Sequence, residues 1–223
     1  MIGAVAVTGA AGALGRKTVE ILAGQGWKVA GIDLAAVPAE SVALALGGVD
    51  LTDEEAVVAA VKRIETEFGG LDGLVNIAGG FTWETIAGGS IATWDKLYAM
   101  NVRTALIASR ASVKLLRASK GSIVNVSAAG SVKAAMGMGA YAASKSGVSR
   151  LTEALAEELK DAGVRVNAVL PSIIDTPTNR KDMPDAAFDK WVTPEQLAQV
   201  IAFLLSPAAG AVTGALLPVT GRV

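Results

Sequence analysis

In the stretch AYAASKSG, Tyr141 and Lys145 stand four residues apart, a spacing that sets two side chains on one face of a helix, about 5–6 Å between Cβ atoms. A phenol that titrates near about 10 is a poor acid at neutral pH. A neighbouring ammonium stabilises the phenolate and draws its pKa down, so the pair can exchange a proton with a carbonyl or a hydroxyl. The same spacing also describes an ordinary surface pair on an amphipathic helix, and its position in the fold must decide between the two. A second group lies near the start, in VTGAAGALGR, where Gly9, Gly12 and Gly15 fall at even spacing between an apolar run and a helical segment. Strand, glycines, then helix is the geometry that receives a pyrophosphate: glycine permits the tight turn and close backbone approach, and the first-turn amides attract the anion. Packing alone also produces such turns. Asp33 adds to the pattern, because it ends the run VAGID 18 residues beyond Gly15, where a carboxylate takes both hydroxyls of an adenine ribose and repels a phosphate there. The expectation is NAD(H) as the preferred cofactor, with NADP(H) left open by nearby Arg16 and Lys17.

Composition narrows the chemistry further. The 223 residues contain neither histidine nor cysteine, which removes disulfides, thiolate nucleophiles, histidine bases and nearly all zinc sites, so no metal is expected. Acid–base work falls to Tyr, Lys, Asp or Glu. Twenty basic and 21 acidic residues nearly cancel without a run of one sign, and neither a nucleic-acid nor a membrane partner is expected. The chain opens on a strand-like run with no span of about 18 apolar residues, and the expectation is a cytoplasmic protein without a signal peptide.

These residues need elements to position them. Short Val- and Ile-rich runs near 2–7, 28–33, 46–50, 72–77, 121–126, 164–170 and 214–219 read as strands. Helical periodicity fills 14–25, 53–68, 93–117, 139–161 and 194–206. Runs such as LVNIA and VRVNAVL are apolar on both faces, as strands buried between two helical layers must be. The fold expected is α/β, one Rossmann-type, doubly wound domain with a seven-stranded parallel sheet and helices on both faces. Irregular stretches 78–92, 128–138 and 171–192 follow carboxyl ends of strands, where such sheets bind ligands.

With these pieces in place the whole chain resembles the short-chain dehydrogenase/reductase family. The matching segments are TGAAGALG, NIAG at 76–79, Asn101 in MNVRT, SIVNVSA at 122–128, YAASK at 141–145 and VLPSIIDTP at 169–177. The resemblance implies hydride transfer between nicotinamide and a small-molecule substrate, with Tyr141 as acid/base. It implies that Lys145 depresses the tyrosine pKa and holds the nicotinamide ribose, and that Asn101 positions a proton-relay water through its helix. It carries cofactor contacts onto Gly9, Ala11, Gly12, Ala13, Leu14, Gly15, Asp33, Leu34, Asp50, Leu51, Asn76, Ala78, Gly79, Pro171, Ile174 and Thr176. It also implies a homodimer or homotetramer. The long helices near 93–117 and 139–161 carry small residues (Ala105, Ala108, Ala142, Ala143, Gly147) that permit close helix approach.

Two features depart from the family pattern. Ala13 occupies the slot of the middle glycine, with Gly12 one place earlier, and the substrate-binding serine slot, thirteen residues before Tyr141, holds Ala128 with Ser127 beside it. Adjacent strand residues face opposite ways. Either a one-residue bulge presents Ser127 to the site, which is the expectation adopted, or the serine is absent and Tyr141 acts alone. The glycine spacing, GWKVAGID, AGGF and above all DTPTNRKDMPDAAFDKW look like the dihydropteridine reductase branch, whose members reduce a quinonoid pterin with NADH. The reaction expected is thus reduction of a small carbonyl, quinonoid or pterin-like substrate. A 3-oxoacyl-type or general ketone/alcohol dehydrogenase and a non-catalytic dinucleotide-binding regulator are the alternatives. Phe81, Trp83 and Trp191 in the loops either stack on a flat substrate or anchor the loops to the core. Asn179 and Arg180 either meet a polar substrate edge or, for Arg180, pair with Asp182 or Asp185.

Overall fold

The structure, a computed structural model, describes residues 3–223. Strand β1 (Ala4–Thr8) is buried along its whole length, because its valines and alanines serve two cores at once. Val5 and Val7 join the cluster under helices α1 (Ala13–Gly24) and α7 (Pro194–Leu205). Ala6 joins the one under α2 (Glu54–Phe68), α4 (Thr104–Ser119) and α5 (Gly139–Leu159). The same alternation runs through β2 (Lys28–Ile32), β4 (Gly73–Asn76), β5 (Ser122–Val126) and β6 (Arg165–Pro171). Ile64 and Ile201 are fully buried, one in each layer, and truncation of either to alanine costs about 2–5 kcal/mol.

With β3 (Leu44–Leu46) and β7 (Leu216–Val219) the sheet has seven strands in the order β3-β2-β1-β4-β5-β6-β7, every pair parallel. The expected doubly wound architecture holds. The order reverses between β1 and β4, which opens a crevice at their carboxyl ends.

Boundaries differ where backbone chemistry overrides the apolar pattern. The expected third strand at 46–50 lies at Leu44–Leu46, because the chain leaves the sheet through Gly47 and Gly48, the latter at φ +75°. The first strand was expected from residue 2; Ile2 lies outside the described residues. The single helix expected over 93–117 is α3 (Ile91–Tyr98), a π turn (Ala99–Arg103) in which the Thr104 N–H bonds the Ala99 carbonyl, and α4. Inside the stretch expected to be irregular, α6 (Pro177–Asp182) begins at proline with Thr176 as its cap. Among the described residues no helix is long and apolar enough to cross a membrane.

Small residues expected to face a partner copy are mostly spent within the chain. Ala105, Ala108 and Ala142 are buried, and a Cβ on Gly147 would stand 2.8 Å from Val102 Cγ2, so this glycine lets α5 approach the π turn.

Candidate active site

Two helix starts, one on each side of the sheet, differ in a telling way. Asp53 caps α2 with its carboxylate, which accepts from Glu55 and Ala56 N–H. At α1 the cap is Gly12, with no side-chain hydrogen bond and no acidic residue in the first turn, leaving amide donors for an anion. The glycines leading there have separate reasons. Gly9 sits at φ +69°, and a Cβ on it would lie 2.8 Å from the Ala78 amide nitrogen; one on Gly15 would collide with the Gly9 carbonyl oxygen. Gly12 would meet only that oxygen, at an ordinary 3.4 Å. Its bareness serves no packing inside the chain, which suits close approach of a ligand.

A cleft of about 730 Å³ opens over this turn. Of the expected contacts, Gly9, Ala11, Gly12, Ala13, Leu14, Gly15, Asp33, Leu34, Asp50, Leu51, Ala78, Gly79 and Thr176 line it. Asp33 is held by the turn itself: one carboxylate oxygen accepts the Ala11 N–H and the other the Ala35 N–H, both at 2.9 Å. Asp50 accepts from the Thr52 amide at 2.8 Å and its hydroxyl at 2.7 Å, and these bonds hold its carboxyl below the usual range. An uncapped helix start after β1, with a bare glycine and with two carboxylates beyond the ends of neighbouring β2 and β3, fits a dinucleotide: the α1 amides would hold its pyrophosphate, and Asp33 and Asp50 its adenosine end.

Several expected contacts do other work. Asn76 lies outside the cleft; its amide donates to Asn125 Oδ1 at 2.8 Å and Ser109 Oγ at 3.1 Å, tying β4 to β5 and α4. Pro171 pairs with Val219 at the end of β6, and Ile174 bridges to Val192, so of that segment Thr176 reaches the cleft wall. Sequence reasoning missed Thr52, Lys96, Met100 and Thr104, which line it too. Thr52 was findable two residues beyond Asp50, whereas the others depend on the π turn.

Gly79 joins the cleft to the chemical groups. A Cβ there would lie 3.3 Å from Lys145 Nζ and would strike Asn101 Oδ1. Asn101 is buried on the π turn, an irregularity often found at functional sites. Its amide oxygen accepts the Gly80 N–H at 2.9 Å, and its nitrogen donates to the Gly80 carbonyl at 3.1 Å and Ser144 Oγ at 2.9 Å. The side chain thereby fixes the loop after β4 to α5. Lys145, also buried, donates to the Val126 carbonyl at 2.9 Å, and desolvation pushes it down to about 8. Tyr141 is pushed up to about 12 by burial. The expected depression of the phenol is reversed among the chain's own groups, because desolvation of the phenolate dominates. Tyr141 is therefore held neutral at ordinary pH.

Ser127 does not reach this site, and no bulge occurs. Its N–H bonds the Val169 carbonyl at 2.9 Å, continuing the ladder of β5 and β6. Its hydroxyl donates to the Lys145 carbonyl at 2.8 Å and so accepts from Ser149 Oγ at 2.9 Å. Strand alternation turns it into the α5 interface. Ala128 holds the other slot and brings no donor, so the adopted expectation is corrected to the alternative in which Tyr141 lacks a serine partner.

The loop aromatics divide. Trp191 is 5% exposed and packs edge-on to Phe188, so it anchors its loop. Arg180 chelates Asp175, at 2.5 and 2.7 Å, and lies 4.7 Å over the Phe188 ring; neither Asp182 nor Asp185 is its partner. Asn179 donates to the Ile174 carbonyl at 2.8 Å. Phe81 and Trp83 remain 55% exposed, with Phe81 edge-on to Tyr141 at 4.9 Å. Among the described residues no group of three or more acidic side chains could hold a metal ion.

Comparison with known proteins agrees with this geometry. The family model described as enoyl-(acyl carrier protein) reductase matches residues 9–221. The chain is 32% identical to 2-(S)-hydroxypropyl-CoM dehydrogenase 3 of Xanthobacter autotrophicus, over 97% of this chain and 94% of that protein. It is 32% identical to human (3R)-3-hydroxyacyl-CoA dehydrogenase, over 96% and 93%. The structure of Brucella melitensis 3-ketoacyl-(acyl-carrier-protein) reductase complexed with NADH superposes with a TM-score of 0.90 at 29% identity, covering 99% of this chain and 98% of that one. An uncapped glycine turn, a Tyr–Lys pair on α5 and relatives named as dehydrogenases and reductases lead to one assignment: the chain belongs to the short-chain dehydrogenases/reductases and is an NAD(P)-dependent oxidoreductase.

Proposed function

We propose that the chain is an NADH-preferring reductase of a small carbonyl, quinonoid or pterin-like substrate, with Tyr141 as proton donor. The observation that carries this reading is the neutral Tyr141 one turn from buried Lys145 on α5, with Lys145 and Asn101 set against Gly79 in the wall of the cleft that Asp33 also lines. Asp33 supports the preference for NAD(H): its carboxylate is fixed by two backbone amides and so meets a ribose diol with both oxygens in place. A phosphate at that ribose would meet the same charge, and the segment from Leu34 to Val42 contains no Lys or Arg.

A bound nicotinamide dinucleotide supplies the hydride. Tyr141 gives its phenolic proton to the substrate oxygen or nitrogen as negative charge develops there, so the substrate gains one hydride and one proton. Lys145, cationic below about 8, stabilises the phenolate that Tyr141 becomes until solvent reprotonates it. Asn101 keeps Gly79 and Gly80 close to both. With Ala128 in the serine slot, polarisation of the acceptor rests on Tyr141, which favours a substrate that is already electron-poor. The resemblance of the 175–191 segment to dihydropteridine reductases supports the pterin-like end of the range.

The names of the relatives favour a second reading, a 3-oxoacyl-type or alcohol dehydrogenase. Steady-state oxidation of NADH and NADPH with a quinonoid dihydropterin, quinones, cyclic ketones and an acetoacetyl thioester separates the two. Rapid pterin or quinone reduction with NADH supports the first, and thioester turnover alone the second. Tight NADH binding without turnover would move the assignment to a dinucleotide-binding regulator. We propose too that the enzyme acts in the cytoplasm as a homodimer or homotetramer; exposed Leu106 on α4 and Phe203 on α7 support self-association.

A further inference from the structure

Large apolar side chains left in water usually either move freely or await something to cover them. Phe81 and Trp83 are more than half exposed, yet both are held. Phe81 follows Gly80, whose N–H and C=O are both bonded to Asn101, and its ring meets the Tyr141 ring at 82°. Trp83 lies on Gly137: a Cβ there would overlap the indole, and the glycine sits at φ +73°. The adjacent Glu84 N–H donates to the Gly137 carbonyl at 2.8 Å. The loop is bonded within itself as well, since the Glu84 carboxylate accepts the Ser90 N–H at 3.0 Å and Thr85 Oγ1 the Gly88 N–H at 3.2 Å. Two loops from different strands are thus clasped to each other immediately before Tyr141, with exposed rings fixed in place.

Resting on the reductase reading above, we propose that Phe81 and Trp83 are specificity-determining residues: they form the fixed wall that receives the substrate and select a flat, conjugated ring without phosphate. Rings already immobilised lose little entropy when a flat ligand stacks on them. The charge pattern points the same way. Stretches 78–92 and 128–138 contain one acidic residue, Glu84, and one basic residue, Lys133. Arg180 from the third loop is occupied by Asp175 and Phe188. A phosphate-bearing acyl thioester would find one exposed lysine on the two clasped loops, with Lys181 and Lys190 away on the third, where it needs a cationic cluster. Ala128 suits the same substrate, because a conjugated acceptor needs less help from a second hydrogen-bond donor.

The test compares the wild-type chain with Phe81→Ala, Trp83→Ala and the conservative Trp83→Phe. Reduction of a quinone, a quinonoid dihydropterin and acetoacetyl-CoA is measured with NADH, and ring-substrate binding to the NAD⁺-loaded protein by calorimetry. Each alanine variant is expected to raise KM for ring substrates about tenfold with NADH affinity within about twofold, and Trp83→Phe to recover most of the loss. Ring KM within about twofold of wild type in both alanine variants, or acetoacetyl-CoA exceeding both rings in kcat/KM, would overturn the proposal. Ring binding that weakens in the alanine variants of a protein without turnover would support the wall while refuting the reductase reading.

Discussion

The α1 half and the α5 half of the candidate site are built from different materials. Around β1 and α1 the work is done by backbone: bare amides at Gly12 and a turn that requires glycine at positions 9 and 15. Around α5 it is done by side chains: Asn101 and Lys145 are buried and hydrogen-bonded, and burial shifts the pKa values of Tyr141 and Lys145. Backbone sites are local, since a few consecutive residues create them. The α5 half depends on contacts between residues tens of positions apart, such as Asn101 with Ser144.

The largest effect that would sharpen this contrast is Tyr141→Phe. Turnover is expected to fall about a thousandfold with dinucleotide affinity within about twofold, and unchanged turnover would remove Tyr141 from the chemistry. In the other half, Gly15→Ala forces a Cβ onto the Gly9 carbonyl and should cost about 1–3 kcal/mol of stability. Gly12→Ala meets only ordinary contact and should keep its Tm while dinucleotide affinity, read by fluorescence titration, falls about tenfold. Equal Tm losses at the two positions would break the assignment of Gly12 to ligand approach. Asp33→Ala should lower the NADH-over-NADPH preference in kcat/KM by about tenfold; an unmoved ratio would place selection elsewhere.

The pH profile follows from the two shifts. Tyr141 stays protonated until about 12, so it does not limit a proton donor at ordinary pH. Lys145 loses its proton as pH rises through about 8. Reduction should be level on the acid side and decline through that value, and the decline should vanish from the residual activity of Lys145→Met. The smallest effect belongs to Ser127→Ala. This substitution removes a tie to α5 and should cost about 1 kcal/mol with kcat within about twofold. A hundredfold loss would return Ser127 to the site.

The loops make the same point about what can be read in advance. Phe81, Trp83 and Trp191 looked alike in the sequence, each an aromatic in an irregular stretch. Trp191 became an anchor because the chain after β6 folds back through α6 and brings Phe188 and Arg180 beside it. Phe81 and Trp83 stayed more than half exposed, Phe81 edge-on to Tyr141 and Trp83 laid on Gly137. Asn76 misled in the opposite sense: it sits in the NIAG motif, and its bonds show a tie within the sheet.

By itself the sequence determined the doubly wound sheet, the glycine turn, Asp33 at the end of β2 and the Tyr–Lys spacing. Each is written in local periodicity or in residues a few positions apart. Tertiary structure alone decided that Ser127 faces α5, that α3 and α4 meet in a π turn, that burial holds Tyr141 neutral, and that two of three loop aromatics face solvent. Those outcomes depend on which way a strand residue points and on what packs against it. Both depend on partners far along the chain, whose approach local residue types do not encode.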